Sequence, residues 1–382
     1  MSKNKYIMVD GAQEILDAYV YEFLKREEDV LAGKVHVFDT VYKPILDKQG
    51  VQMVNMQVGG EHVGQVMYSA TDTLRFWDAH KKLDVLNSEL ESGCKTFVLC
   101  KTSDDIDKAI EEGKIAILAS LAGGRPLQGK ANLNLLSSLR SLYRMGLRGL
   151  QLTGNTRNRL ADGQAQERTR GKLTGFGRDV VKEADRLGIL LDTAQLSDAG
   201  FYDLIELTKN PVIDSHSCAK SIYDHPRNIS DERIKAIADK EGVVGINFWS
   251  TLVAGDKDTP DVNDLMKHIK HMVELVGADH VALGPNYSAY ETPVDRESVR
   301  GFGNLGPDYC EFDRLTPLQS EKYPGWIDGM YYGIKKSDFI QGPNTHENFS
   351  LIVDALEKEF DKEICRKILG ENLIRVYKDV LK

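Results

Sequence analysis

The chain has 382 residues, 41% of them apolar and 28% charged, an ordinary globular composition long enough to bury a large core. Its net charge of −9 is spread along the sequence without a long basic block, which argues against nucleic acid or an anionic membrane as a main partner. The five cysteines form no CxxC pair, no apolar leader opens the chain and no apolar run is long enough to span a bilayer, so free thiols in a cytoplasmic protein are expected.

In chain order, residues 10–30 read as an amphipathic helix ahead of the core. Residues 34–40 (KVHVFDT) alternate and then turn apolar, a first strand ending at Asp39. Residues 61–69 are a second strand candidate. Residues 73–91 carry Leu74, Trp77, Leu83, Leu86 and Leu90 at helical spacing, a core stripe. Residues 95–100 are a short extended piece, and Ser103 caps a helix to Glu112. The apolar run 114–121 (KIAILASL), bounded by glycines, suits a strand buried on both faces. Helix 132–145, strand 149–153, helix 174–187, strand 188–192, helix 197–207 and strand 211–214 follow. Helix 230–240, strand 243–247, helix 261–276 and strand 280–284 complete the alternation. His268 and His271, three apart on a Lys-rich helix, read as a solvated face.

Eight strands near 35, 62, 115, 148, 189, 211, 243 and 280, mostly separated by helices, predict a (β/α)8 barrel of the TIM type. An open doubly wound sheet is the alternative, but no GxGxxG follows the first strand. Residues 285–343, rich in Gly, Pro, Tyr and Asp, read as a long insertion at the barrel mouth, a lid or an interface. Three helices close the chain, and residues 1–382 are expected to form one domain.

The stretch 211–228 (PVIDSHSCAKSIYDHPRN) places Asp214, His216 and Arg227 just after a strand, where barrels gather their ligands. Together with 173–197 (LTGFGRDVVKEADRLGILLDTAQLS), it resembles the membrane (renal) dipeptidase family of metal-dependent hydrolases. The resemblance continues at GKIAILASLAGG (113–124), LRSLYRMGLRGLQLTGN (139–155), DHVALGPNY (279–287) and KILGENLIRVYKDVL (367–381). It implies a (β/α)8 barrel and a two-zinc centre held by an HxD pair after the first strand, a bridging Glu after the third and two later histidines.

Carried over position by position, the resemblance puts the HxD pair on Val41 and Lys43, the bridging Glu on Ala122 and one histidine on Gln195. Only His216 keeps its ligand identity. A substrate-facing His falls on Gly154 and a catalytic Asp on Asn286, whereas the carboxylate-binding Arg is present as Arg227. A Lys ammonium beside two dications would be strongly repelled, so no dizinc centre is expected, and zinc only with substitute ligands.

Three roles stay open for His216: lone metal ligand, general acid or base, and structural histidine. A mononuclear site from His216, Asp214 and His36 is one way to rebuild metal binding. Lys43 is a candidate nucleophile or source of charge, or a solvent-facing lysine. Arg227 is expected to anchor a small carboxylate or peptide-like ligand, with Arg125, Gln195, Asn286 and Tyr287 lining the pocket. The expected function is metal-independent chemistry on a small amino-acid- or peptide-like carboxylate. The alternatives are a non-catalytic ligand-binding member and a zinc dipeptidase with substitute ligands. The resemblance also suggests a homodimer.

Overall fold

The structure is a computed structural model and describes residues 5–14, 16–60, 72–128, 136–255, 257, 260–288 and 349–382. Its centre is a parallel sheet of ten strands: β1 (Met8–Glu14), β2 (Val51–Gly60), β3 (Phe97–Leu99), β4 (Ile115–Ala122), β5 (Leu147–Gln151), β6 (Leu190–Asp192), β7 (Val212–Ser217), β8 (Val243–Ile246), β9 (Val281–Leu283) and β10 (Tyr287–Ser288). The hydrogen-bonded order β1-β2-β4-β5-β6-β7-β8-β9 is the circuit of a (β/α)8 barrel, with β3 paired to the early part of β4. The short strand β10, just beyond β9, pairs with β1 through Gln13–Tyr287 and brings the circuit round to its start.

Six of the eight expected strands are where the pattern put them. The first is not. Residues 34–40 do not form a strand, because Phe38–Tyr42 is a π-helical turn running into helix α3 (Lys43–Gln49). The first barrel strand is β1, inside the stretch read as helix; that helix begins only at α1 (Leu16–Lys25). The second is β2, and the candidate at 61–69 lies outside the described residues. Polar Asp10, Gly11 and Gln13 hid the first strand from a periodicity reading. Its conformation is imposed by pairing with β2 rather than by local propensity. Of the long insertion expected at 285–343, residues 285–288 are described, and two of them form β10.

Inside the barrel, Val9, Met53, Leu118, Leu190, Ile213, Val243 and Ala282 from seven strands form one buried cluster. Leu373, Val376 and Tyr377 of the C-terminal helix (Asn372–Val380) plug it. Outside, a second core fills the space between the sheet and helices such as α4 (Asp72–Glu91) and α7 (Gly175–Leu187). Leu83 and Leu86 of the expected α4 stripe are buried, but Trp77 is 55% exposed and is not core.

Local signals set the helices that deliver the site. The Thr174 hydroxyl accepts a hydrogen bond from Gly177 N at 3.0 Å to start α7, and Gly188, at φ +76°, ends it just before β6. Ser230 caps α9 (Asp231–Ala238), which carries Arg233 inward. At Gly284, between β9 and β10, a β-carbon would lie 1.7 Å from the Ser215 carbonyl oxygen, so only glycine lets the two backbones meet.

The Lys-rich helix at 262–276 corrects another expectation. His268 is wholly buried, its Nδ1 accepting from Ala219 N at 3.1 Å and its Nε2 2.8 Å from the Val253 carbonyl. Burial pushes its pKa down to about 4, so it is a neutral core histidine. His271 meets Asp231 at 2.8 Å.

Candidate functional site at the strand ends

The carboxyl ends of β4 to β7 present Ala122, Gln151, Asp192 and His216 along one rim. His216 is 3% exposed, and its Nδ1 lies 2.7 Å from the Ser215 hydroxyl. That hydroxyl donates to Asp192 Oδ2 at 2.5 Å, while Asp192 Oδ1 accepts from the backbone N–H groups of Ala194 and Ser215 at 3.0 Å each. A hydroxyl has one proton. If it goes to the carboxylate, His216 Nδ1 must carry its own proton and donate it to the serine oxygen, which leaves Nε2 as the basic nitrogen. Burial, and then the neighbouring Asp214, push the Asp192 carboxyl up to about 6, against the hydrogen bonds from Ser215 and the backbone.

Asp214 is fully buried and takes a hydrogen bond from the Thr193 hydroxyl at 3.3 Å. It stands 3.6 Å from the Arg233 guanidinium. Arg233 also donates to the carbonyls of Leu196 and Thr193, and it lies over the Phe201 ring at 4.4 Å. Asp214 therefore belongs to a buried ion pair rather than to a mononuclear site with His216. His36, the third member of that imagined site, lies instead against Glu89 and Cys94.

Arg227 is 5% exposed on the loop after β7. Its two terminal nitrogens donate to Ser217 Oγ and to the His216 carbonyl, both at 2.9 Å. The arginine thus braces the strand end that carries His216. Gln195 takes a left-handed conformation at φ +65° and joins an amide chain. Gln151 Nε2 donates to Gln195 Oε1 at 2.6 Å, and Gln195 Nε2 donates to Asn155 Oδ1 at 3.0 Å. Asn286, also left-handed at φ +58°, accepts the Trp249 indole N–H on its carbonyl at 3.1 Å, and its buried Oδ1 has no hydrogen-bond partner among the described residues. Tyr287 is in β10. Arg125 stands in a 3₁₀ turn, Arg125–Leu127, after β4 and bonds the Arg157 carbonyl at 3.0 Å.

Lys43 is not brought to this rim by a strand. It opens outer helix α3, with its ammonium 2.5 Å from Asp47. The placement of the HxD pair on Val41 and Lys43 assumed a strand at 34–40 and falls with it. The residues at the end of the first strand are Ala12, Gln13 and Glu14. Just before them, Asp10 is fully buried, accepting from Ala12 N at 3.0 Å and Gln13 Nε2 at 3.1 Å. Burial pushes its pKa up to about 8, so it is largely protonated at neutral pH.

Sequence reasoning passed over Ser215, Gln151, Asn155 and Asp10. For Ser215 a signal existed: a hydroxyl between Asp214 and His216 in a strand-end run. The two amides carried none, since their role depends on which strands are neighbours.

Among the described residues, the group of three His, Cys or carboxylate side chains close enough to share an ion is His36, Glu89 and Cys94, and His216 belongs to no such group. Also among the described residues, no helix is long and apolar enough to cross a membrane.

An uncharacterised protein encoded in the pqqA 5′ region of Klebsiella pneumoniae is 27% identical over 251 residues, 62% of this chain and 90% of that protein. A solved dipeptidase, described as a metallopeptidase of family M19, superposes with a TM-score of 0.72 over 99% of each chain at 18% identity. A Rhodobacter sphaeroides metallopeptidase, solved with a phosphinate mimic of the dipeptide L-Ala-D-Ala, gives 0.71 at 18% identity over 98% of this chain and 99% of that one. The model of the membrane dipeptidase family, peptidase family M19, matches residues 43–305. The chain belongs to the membrane dipeptidase family, whose members are metallopeptidases.

Proposed function

We propose that this member of the family carries out metal-independent proton-transfer chemistry on a small amino-acid- or peptide-like carboxylate at the barrel mouth. The observation that carries the reading is the chain Asp192–Ser215–His216, which orients an imidazole with Nε2 as its basic atom. The donor set around it does not fit two zinc ions. Such a pair needs anionic bridges, whereas Ala122 ends β4 and Gln195 is engaged with two other amides. At the end of β1, Glu14 is a carboxylate, but Ala12, two residues before it, offers no ligand.

In this mechanism His216 takes a proton from the substrate while Ser215 and Asp192 steady the resulting imidazolium. Asp192 does this in its ionised form, which burial confines to above about pH 6. Asn286 Oδ1, without a hydrogen-bond partner among the described residues, is an acceptor for a ligand ammonium or amide. Arg227, Gln195 and Arg125 border the ligand; Lys43, on its outer helix, is given no chemical step.

The brace that Arg227 forms with its own strand favours a second reading, a non-catalytic binder, because a guanidinium held this way serves the fold as well as a ligand.

Dipeptides and simple N-acyl amino acids, assayed with and without chelator, test both. Turnover that survives chelation and is lost in His216→Asn supports the first reading. Dipeptide binding by calorimetry without turnover supports the second. Turnover that needs two metal ions per chain overturns both.

A further inference from the structure

Away from the mouth, His36, Glu89 and Cys94 come together where α4 ends and the chain turns into β3. One donor atom from each lies within 4.8 Å of the other two. Glu89 is 0% exposed, and its two oxygens have different partners. Oε1 accepts from the backbone N–H groups of Val37 and Phe38 at 2.7 and 3.3 Å. Among the described residues, Oε2 is buried without a hydrogen bond and faces His36 Nδ1, also without one, at 3.3 Å. Two donors each about 2.05 Å from a tetrahedral zinc ion stand roughly 3.3 Å apart, so the pair already has the spacing of two ligands. Cys94 Sγ closes the triangle, 3.4 Å from the Thr96 hydroxyl and 3.9 Å from Asp39 Oδ1.

We propose that His36, Glu89 and Cys94 form a binding site for one zinc-class divalent ion, structural rather than catalytic and separate from the barrel mouth. The mixed N, O and S donor set suits such an ion, with water in the fourth position. The hydrogen bonds from Val37 and Phe38 to Oε1 act as an outer shell that aims Oε2. An ion here would also neutralise a buried carboxylate. On binding, the Cys94 thiol loses its proton to solvent as the metal–sulfur bond forms, so affinity falls as pH falls. Because the cluster precedes β3, it lies at the end of the barrel opposite the strand termini that bear His216. Its effect is to tie the entry to the π-helical turn to the end of α4.

The test is titration of the metal-stripped, reduced protein with Co²⁺, followed by absorption, and then with Zn²⁺, followed by thermal melting. The expected result is one ion per chain, a cobalt–thiolate charge-transfer band and a higher melting temperature with zinc. Cys94→Ser should abolish the band. His36→Gln, at a position 20% exposed in its side chain and so tolerant of change, should weaken binding at least a hundredfold. His216→Asn should leave the band intact, which separates this site from the mouth. A folded wild-type protein with no thiolate band, or a band unchanged in both Cys94→Ser and His36→Gln, would overturn the proposal.

Discussion

Replacing Asp10 by Asn should change how stability depends on pH, and the size can be worked out from burial. In the folded protein the carboxyl is fully buried and titrates at about 8, against an ordinary 3.8. The folded state therefore holds a proton that the unfolded state releases anywhere between those values. Below 3.8 both states are protonated and the group costs nothing. As pH rises towards 8 the wild type loses stability, by about 1.4 kcal/mol per pH unit from this group, and above 8 the loss levels off. The ceiling is roughly 6 kcal/mol; relaxation around the ionised form makes half of that a reasonable expectation. Asn keeps the shape and one acceptor but cannot ionise. It should cost about 1 kcal/mol at pH 4.5 through the rearranged bonds to Ala12 and Gln13. By pH 8.5 the variant should be the more stable protein. Urea unfolding of both proteins across this range gives the difference curve, in which other titrating groups cancel. A flat curve would mean that Asp10 is ionised at neutral pH, and the reasoning from burial would be wrong.

Gly284→Ala forces a β-carbon against the Ser215 carbonyl and should destabilise by about 3 kcal/mol or more, whereas Gly113→Ala, with open space around it but φ +65°, should cost only about 1 kcal/mol; comparable losses in calorimetry would contradict the close approach. Arg233→Met leaves Asp214 buried without its cation and should cost about 3–5 kcal/mol, part of which Asp214→Asn in the same chain should restore; denaturant midpoints of the single and double variants decide. His268 stays neutral in the fold, with a pKa near 4, while the unfolded chain takes a proton below the ordinary 6.5. Stability from this group is therefore full above pH 6.5 and is lost as pH falls towards 4, and its ring protons should not titrate by NMR between pH 8 and 5.

Strand–helix alternation from residue 113 onward announced the barrel, because buried parallel strands are continuous apolar runs and their helices carry caps such as Thr174 and Ser230. The family's blocks around His216 and Arg227 were equally plain. The first strand was not, since Asp10-Gly11-Ala12-Gln13 has neither β-branched residues nor alternation. Only its neighbours β2 and β10 make it a strand. That error carried Lys43 to a place the fold does not give it.

The sequence by itself determined the class of fold and the family, because these are matters of composition, pattern and motif. The tertiary structure alone decided which side chains act together. The link from Asp192 to His216 through Ser215 joins two strands 23 residues apart, and the His36–Glu89 pair spans more than fifty positions. The physical reason is that hydrogen bonds and ion pairs between distant residues are set by which backbones are neighbours, and no local propensity encodes that.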